Sequence, residues 1–192
     1  MLTLNDKHEY ILDGKPFNGP SVTTVLKATG FYGWMPEDVY YRDRGSFVHE
    51  AIAMYLRGTL DESSLSEGVR PFVDSAIEYI QATGYKAEHI ELPLMDDIYG
   101  YCGCVDALPL RDWKNGGPQY STTVQISTYY HLAKQNCLGP GLPISVHLSS
   151  KGKMAKSVPY SMRTVLDEYK VFLSALHVYK ARQHHGLLKE NL

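Results

Sequence analysis

Cysteine is scarce in this sequence: Cys102, Cys104 and Cys137 are the only three in 192 residues. They cannot all pair, and Cys102 and Cys104 stand too close together for a disulfide framework, so reduced thiols are expected. No stretch approaches the roughly 20 apolar residues that a membrane-spanning helix needs. The opening residues Met1-Leu2-Thr3-Leu4-Asn5-Asp6 lack the basic and apolar regions of a secretory signal. Cytoplasmic residence without a membrane partner is therefore expected. There is no surplus of either charge: 19 Lys and Arg against 21 Asp and Glu leave a net charge of −2. That excludes a globally basic nucleic-acid binder and confines any contact with a polyanion to a local patch. Repeats and low-complexity linkers are missing too, and the length suits one domain over residues 1–192 with a sizeable core.

What is present is a set of short signals in a fixed order. Arg44-Gly45-Ser46-Phe47-Val48-His49 comes first, then Gly103-Cys104-Val105-Asp106, then Asp112-Trp113-Lys114, then Gln125-Ile126-Ser127-Thr128-Tyr129. An acidic residue, any residue, then Lys occurs three times, at Asp13-Gly14-Lys15, Asp112-Trp113-Lys114 and Glu168-Tyr169-Lys170. Only the second lies between a GxxD and a QxxxY, so the information is in the order rather than in the tripeptide. A histidine, two carboxylates and a lysine are the groups that hold Mg²⁺ or Mn²⁺ against a phosphodiester and place a water for attack.

This order resembles RecB-type nucleases of the PD-(D/E)XK superfamily, whose signature is RGxxxH, GxxD, (D/E)xK and QxxxY. The opening Gly19-Pro20-Ser21-Val22-Thr23-Thr24-Val25-Leu26 is similar to the PSVTTIL-type start of phage and mitochondrial members. The resemblance implies a restriction-endonuclease-like α/β core, a mixed sheet flanked by helices in the order α-β-β-β-α-β with extra helices. It also implies a Mg²⁺- or Mn²⁺-dependent exonuclease acting on DNA, as single strands or ends, in processing or recombination. A phage-encoded member would work in the host cytoplasm. Some relatives carry an iron–sulfur cluster on four cysteines; three are too few here, and no cluster is expected.

By this resemblance His49, Asp106, Asp112 and the carbonyl of Trp113 would ligate the metal. Lys114 would act beside Asp106 and Asp112 in catalysis, and Glu91 is a possible further acidic residue. Gln125 and Tyr129, four apart on one helical face, would orient Lys114 or contact DNA. Arg44 would bind phosphate.

The chain departs from the family in having only five residues between Asp106 and Asp112. If Leu108-Pro109-Leu110 forms a three-residue loop, Ala107 pairs with Arg111, Asp106 with Asp112, and Lys114 lies across from Cys104. A two-residue loop sends the two aspartates to opposite faces. The chain would then be a degenerate nuclease fold that binds nucleic acid or a host protein.

The remaining pattern predicts elements. Asp13-Gly14 after Glu9–Leu12 predicts a hairpin, and Ser21 predicts a capped helix through Ala28 ending before Gly30. A helix is expected from near Gly45, with Val48, Ala51, Ile52 and Tyr55 inward and His49 beside them. Another follows Pro71 and stops at Gly84. Extended segments are expected at His89–Leu94, Tyr99–Ala107, Leu110–Lys114, Ile144–Leu148 and Met154–Val158. Helices are expected at Tyr120–Gln135 and Ser161–Gln183, the second with Val165, Leu166, Tyr169, Phe172, Leu173, Leu176 and Tyr179 as its apolar stripe. Candidate DNA contacts are Lys151, Lys153 and Lys156, and the tail Lys180, Arg182, His184, His185 and Lys189. Tyr32, Trp34, Tyr40 and Tyr41 could stack bases or simply pack.

Overall fold

The computed structural model describes residues 1–5, 9–32 and 39–188, with the side chains of 39–42 excepted. The hairpin at Asp13-Gly14 is present: β2 (Tyr10–Leu12) and β3 (Lys15–Pro16) run antiparallel with Leu12 against Lys15. Asp13 and Gly14 take φ of 50° and 80°, the left-handed pair that a tight hairpin turn demands. β1 (Leu2–Leu4), too short to show a period of its own, adds to the other edge of β2. Ser21 caps α1 (Val22–Ala28), its Oγ accepting the N–H of Thr24. The Cys102 N–H donates to Pro20 O and so fastens the start of α1 to the main sheet.

α2 (Val39–Arg57) starts six residues before Gly45, where a helix start was expected. A glycine inside a helix costs about 1 kcal/mol, which packing can override. Here the Arg44 guanidinium stacks 4.9 Å from the Phe72 ring of α3 (Arg70–Thr83). α3 begins with Pro71 in its first turn and ends at left-handed Gly84, as the sequence indicates.

The main sheet holds five strands in chain order: β4 (His89–Asp96), β5 (Tyr101–Leu108), β6 (Arg111–Lys114), β7 (Ile144–His147) and β8 (Lys156–Pro159). Neighbours are antiparallel except β6 and β7. Parallel neighbours need a crossover. α4 (Tyr120–Gln135) supplies it, over the residues expected. α5 (Met162–His184), capped by Ser161, closes the fold.

Two apolar clusters sandwich the sheet. One joins α1, α4 and α5 through Val22, Leu26, Val124, Leu132, Phe172 and Leu176 to Val105 and Leu110. The other joins α2 and α3 through Val48, Ile52, Phe72 and Val73 to Trp113 and Val146. Leu166, expected in the α5 stripe, is exposed, because α5 buries a narrower strip than its apolar pattern suggests. The mixed α/β architecture expected from the sequence is therefore present. Among the described residues no helix is long and apolar enough to cross a membrane.

Candidate active site

The short link between β5 and β6 decides whether a site exists. Ala107 faces Arg111, the register of the three-residue connection Leu108–Leu110. That is the only facing pair, so the expected pairings of Asp106 with Asp112 and of Lys114 with Cys104 are not made. Instead Asp106 Oδ2 accepts the backbone N–H of Trp113 at 2.8 Å, and the carboxylate takes the place of a ladder carbonyl. β6 is thereby held to β5 through the Asp106 side chain, while its backbone runs parallel with β7.

His49 projects from α2 so that its Nδ1 lies 3.4 Å from the same Asp106 Oδ2. Glu91 enters from β4. Ile90 faces Ala107 and Leu92 faces Val105, which sets Glu91 opposite Asp106, but Glu91 adopts a φ of 49°. A non-glycine residue in that region within a strand is strained, and such strain concentrates at functional sites. Donor atoms of His49, Glu91 and Asp106 all lie within 4.8 Å of one another. Ligands around a single divalent ion, with bonds of about 2.0–2.4 Å, span no more than about 4.8 Å, so these three fit one ion.

Lys114 anchors the other half. Its Nζ stands 3.0 Å from Asp112 Oδ1 and donates to Gln125 Oε1 at 2.8 Å. Gln125 Nε2 in turn donates to the Tyr129 hydroxyl at 3.0 Å, and the Tyr32 hydroxyl donates to Gln125 Oε1 at 3.4 Å. The second oxygen of Asp112 is buried with no hydrogen-bond partner, which leaves an acceptor unsatisfied beside the Lys114 ion pair.

The electrostatics follow from burial and pairing. Burial pushes the Glu91 carboxyl up to about 7, with Asp106 adding to the rise and His49 opposing it. Burial likewise raises Asp112 to about 6 against the pull of Lys114. Asp106 moves the other way: burial is the largest influence and raises its pKa, but the His49 imidazole, the Lys114 ammonium and the Trp113 N–H together outweigh it and the net shift is downward. Burial disfavours a charged His49 and a charged Lys114, yet the carboxylates beside them prevail and both pKa values rise.

Of the residues singled out from the sequence, the fold brings together His49, Glu91, Asp106, Asp112, Trp113, Lys114, Gln125 and Tyr129. Gln125 and Tyr129 are 6% and 5% exposed and sit behind Lys114. Arg44 lies over Phe72, one turn before His49. Trp34 and Lys189, and the side chains of Tyr40 and Tyr41, lie outside the described residues. Sequence reasoning missed Cys104 and Tyr10. The Cys104 thiol donates to Glu91 Oε2 at 3.5 Å. Tyr10 is near Cys102, Cys104 and Glu91, and burial raises its pKa. Cys104 stood inside the GxxD signal and was legible there; Tyr10 carried no signal. The glycine of that signal is also explained. A Cβ on Gly103 would lie 2.8 Å from Tyr129 Cε1 and 3.2 Å from Leu132 Cδ1, so only glycine lets α4 approach β5 this closely.

Neither a family model nor a curated protein sequence matches this chain. Solved structures do match. A candidate exonuclease from Eubacterium rectale superposes with a TM-score of 0.66 over 89% of this chain and 83% of that one, at 11% identity. This chain shares its fold. An alkaline exonuclease from Laribacter hongkongensis, LHK-Exo, covers 89% of this chain and 95% of its own at 15% identity, with a TM-score of 0.42. Its complex with dAMP gives 0.41 at 17% identity over the same shares.

Proposed function

We propose that this chain is a Mg²⁺- or Mn²⁺-dependent nuclease that hydrolyses DNA phosphodiesters, acting as an exonuclease in DNA processing or recombination. The observation that carries this reading is the meeting of His49, Glu91 and Asp106 within 4.8 Å, beside a lysine held by Asp112 and Gln125. α2, β4, β5, β6 and α4 all contribute, and no packing requirement explains why five elements should gather these groups in one place. The E. rectale fold supports the reading as a scaffold only.

In this proposal His49, Glu91 and Asp106 would hold the ion, and Asp112, which lies outside that group of three, and the Trp113 carbonyl would be further ligands. Imidazole and carboxylate donors suit Mg²⁺ or Mn²⁺. Bound there, the ion supplies electrophilic activation of the scissile phosphate and of the attacking water. The Trp113 N–H fixes the orientation of the Asp106 carboxylate. Lys114 presents its ammonium to the charge that develops on the phosphate, and it is pre-positioned, so no reorganisation is needed at the moment of reaction. Gln125 and Tyr129 act on Lys114 from behind rather than on DNA. Arg44 is the proposed contact to a neighbouring phosphate.

The test is hydrolysis of end-labelled single- and double-stranded DNA with Mg²⁺, Mn²⁺ or EDTA. Nucleotide release with either ion and none with EDTA is expected. Protein that binds Mn²⁺ yet cleaves neither substrate would refute the nuclease assignment.

A further inference from the structure

The cations of the described residues are mostly tied to the protein itself. Lys180 Nζ donates to Tyr99 O, and Arg182 to Ala28 O, so these two tail residues brace α5 rather than reach outward. Arg57 and Arg70 donate to the carbonyls of Ile90 and Glu62. Arg111 is held by the Tyr79 hydroxyl and two carbonyls, and Lys170 by Asp167. Lys15, Lys27 and Lys86 are exposed singly, whereas Lys151, Lys153 and Lys156 are grouped. These last three are exposed, fall within six residues, and among the described residues form no ion pair.

The loop that carries them is pinned. The Ser149 N–H donates to Ser75 Oγ at 2.9 Å and the Ala155 N–H to Ser75 O at 3.3 Å, while Ser75 is fully buried in α3. Leu148 and Ala155, at the two ends of the loop, are themselves buried. Between those anchors Gly152 turns with a φ of 65°. The lysines are therefore presented on an ordered backbone, which lowers the entropy lost when they engage a ligand.

Position gives the loop its meaning. His147 faces Lys114 across β6 and β7, and Lys156 faces His147 across β7 and β8. Lys114 and Lys156 thus stand in one row, two strand spacings or about 10 Å apart. The loop leaves the sheet just after His147 and returns at Lys156, at the end of β6 that bears Lys114. Lys156 in that row, with Lys151 and Lys153 on the adjoining loop, matches a repeated negative charge, as the sugar–phosphate backbone of a nucleic acid presents it.

We infer that Lys151, Lys153 and Lys156 form the track along which the DNA backbone lies as it enters the site. The inference rests on the nuclease reading. Each ammonium that neutralises a phosphate releases counterions, so binding should weaken with salt by a slope of about 0.9 per contact on duplex DNA.

The experiment measures fluorescence anisotropy of labelled duplex and single-stranded oligonucleotides with Ca²⁺ in place of Mg²⁺, across a salt series. The triple variant Lys151→Gln, Lys153→Gln, Lys156→Gln should bind duplex more weakly, with a log–log slope shallower by about 2–3. The matching triple arginine variant should keep the parental slope. Should the triple glutamine variant lose its circular dichroism signal, Lys153→Gln alone must still flatten the slope by about 0.9. Parental slope and affinity in the folded glutamine variants would overturn the proposal. So would binding of the parent to phosphatidylserine vesicles without any affinity for DNA. Hydrolysis of bis(p-nitrophenyl) phosphate by the parent with Mn²⁺ judges the nuclease reading separately, since that substrate has no backbone to follow.

Discussion

Lys114 Nζ lies 3.0 Å from Asp112 Oδ1, inside a pocket that leaves the Asp112 side chain 2% exposed. The two groups hold each other in place. Lys114→Ala should leave Mn²⁺ binding at His49, Glu91 and Asp106 intact but lower DNA cleavage by about 10²–10³-fold, the usual cost of removing a pre-positioned charge stabiliser. It also leaves a buried carboxylate unpaired, so stability should fall by about 3 kcal/mol. Calorimetry, single-turnover cleavage and urea unfolding on one preparation check the three parts. Unchanged turnover would reduce Lys114 to a structural partner of Asp112.

Glu91 makes metal binding depend on pH. Its carboxyl is raised to about 7, above the ordinary 4.5, so near neutrality much of the population is protonated and a proton must leave before it can ligate. Mn²⁺ affinity should therefore rise as pH climbs through 7, with proton release on binding below that value. The sign for stability is opposite in the metal-free protein: the fold favours neutral Glu91, so stability falls as pH rises from 4.5 to about 7. Calorimetry in buffers of different ionisation enthalpy, on the parent and on Glu91→Gln, reads the proton directly. Equal proton release by both would exclude Glu91 as its source.

Much of this was legible in the sequence because period and punctuation carry it. The hairpin at Asp13-Gly14, the cap at Ser21, the stop at Gly84 and the span Tyr120–Gln135 stand where local chemistry puts them. The order of motifs located His49, Asp106, Asp112 and Lys114. What the sequence could not show was non-local. Arg44 of α2 stacks on Phe72 of α3, a contact from outside the helix, and β1 pairs with β2. Strand parity gave the correct Ala107–Arg111 register but treated Asp106 as a ladder residue. Its side chain instead bonds the Trp113 N–H, a choice that depends on β6 turning toward β7. The left-handed backbone of Glu91 has no sequence mark at all.

Gly103 ties the GxxD signal to packing. Gly103→Ala places a methyl 2.8 Å from Tyr129 Cε1, and Tyr129 supports Gln125 and through it Lys114. Overpacking of this kind costs about 1–3 kcal/mol. Gly139→Ala is the control, since a Cβ there meets nothing within 4 Å. Chemical denaturation should separate the two, with Gly103→Ala also lowering activity; equal stability of both variants would contradict the close approach of α4 to β5.

The central claim is that one divalent ion sits among His49, Glu91 and Asp106. Diffraction from Mn²⁺-soaked crystals at the manganese absorption edge tests it most directly. The account predicts an anomalous peak within about 2.4 Å of His49 Nδ1 or Nε2 and of carboxylate oxygens of Glu91 and Asp106. A peak elsewhere, or none at millimolar Mn²⁺, would contradict it.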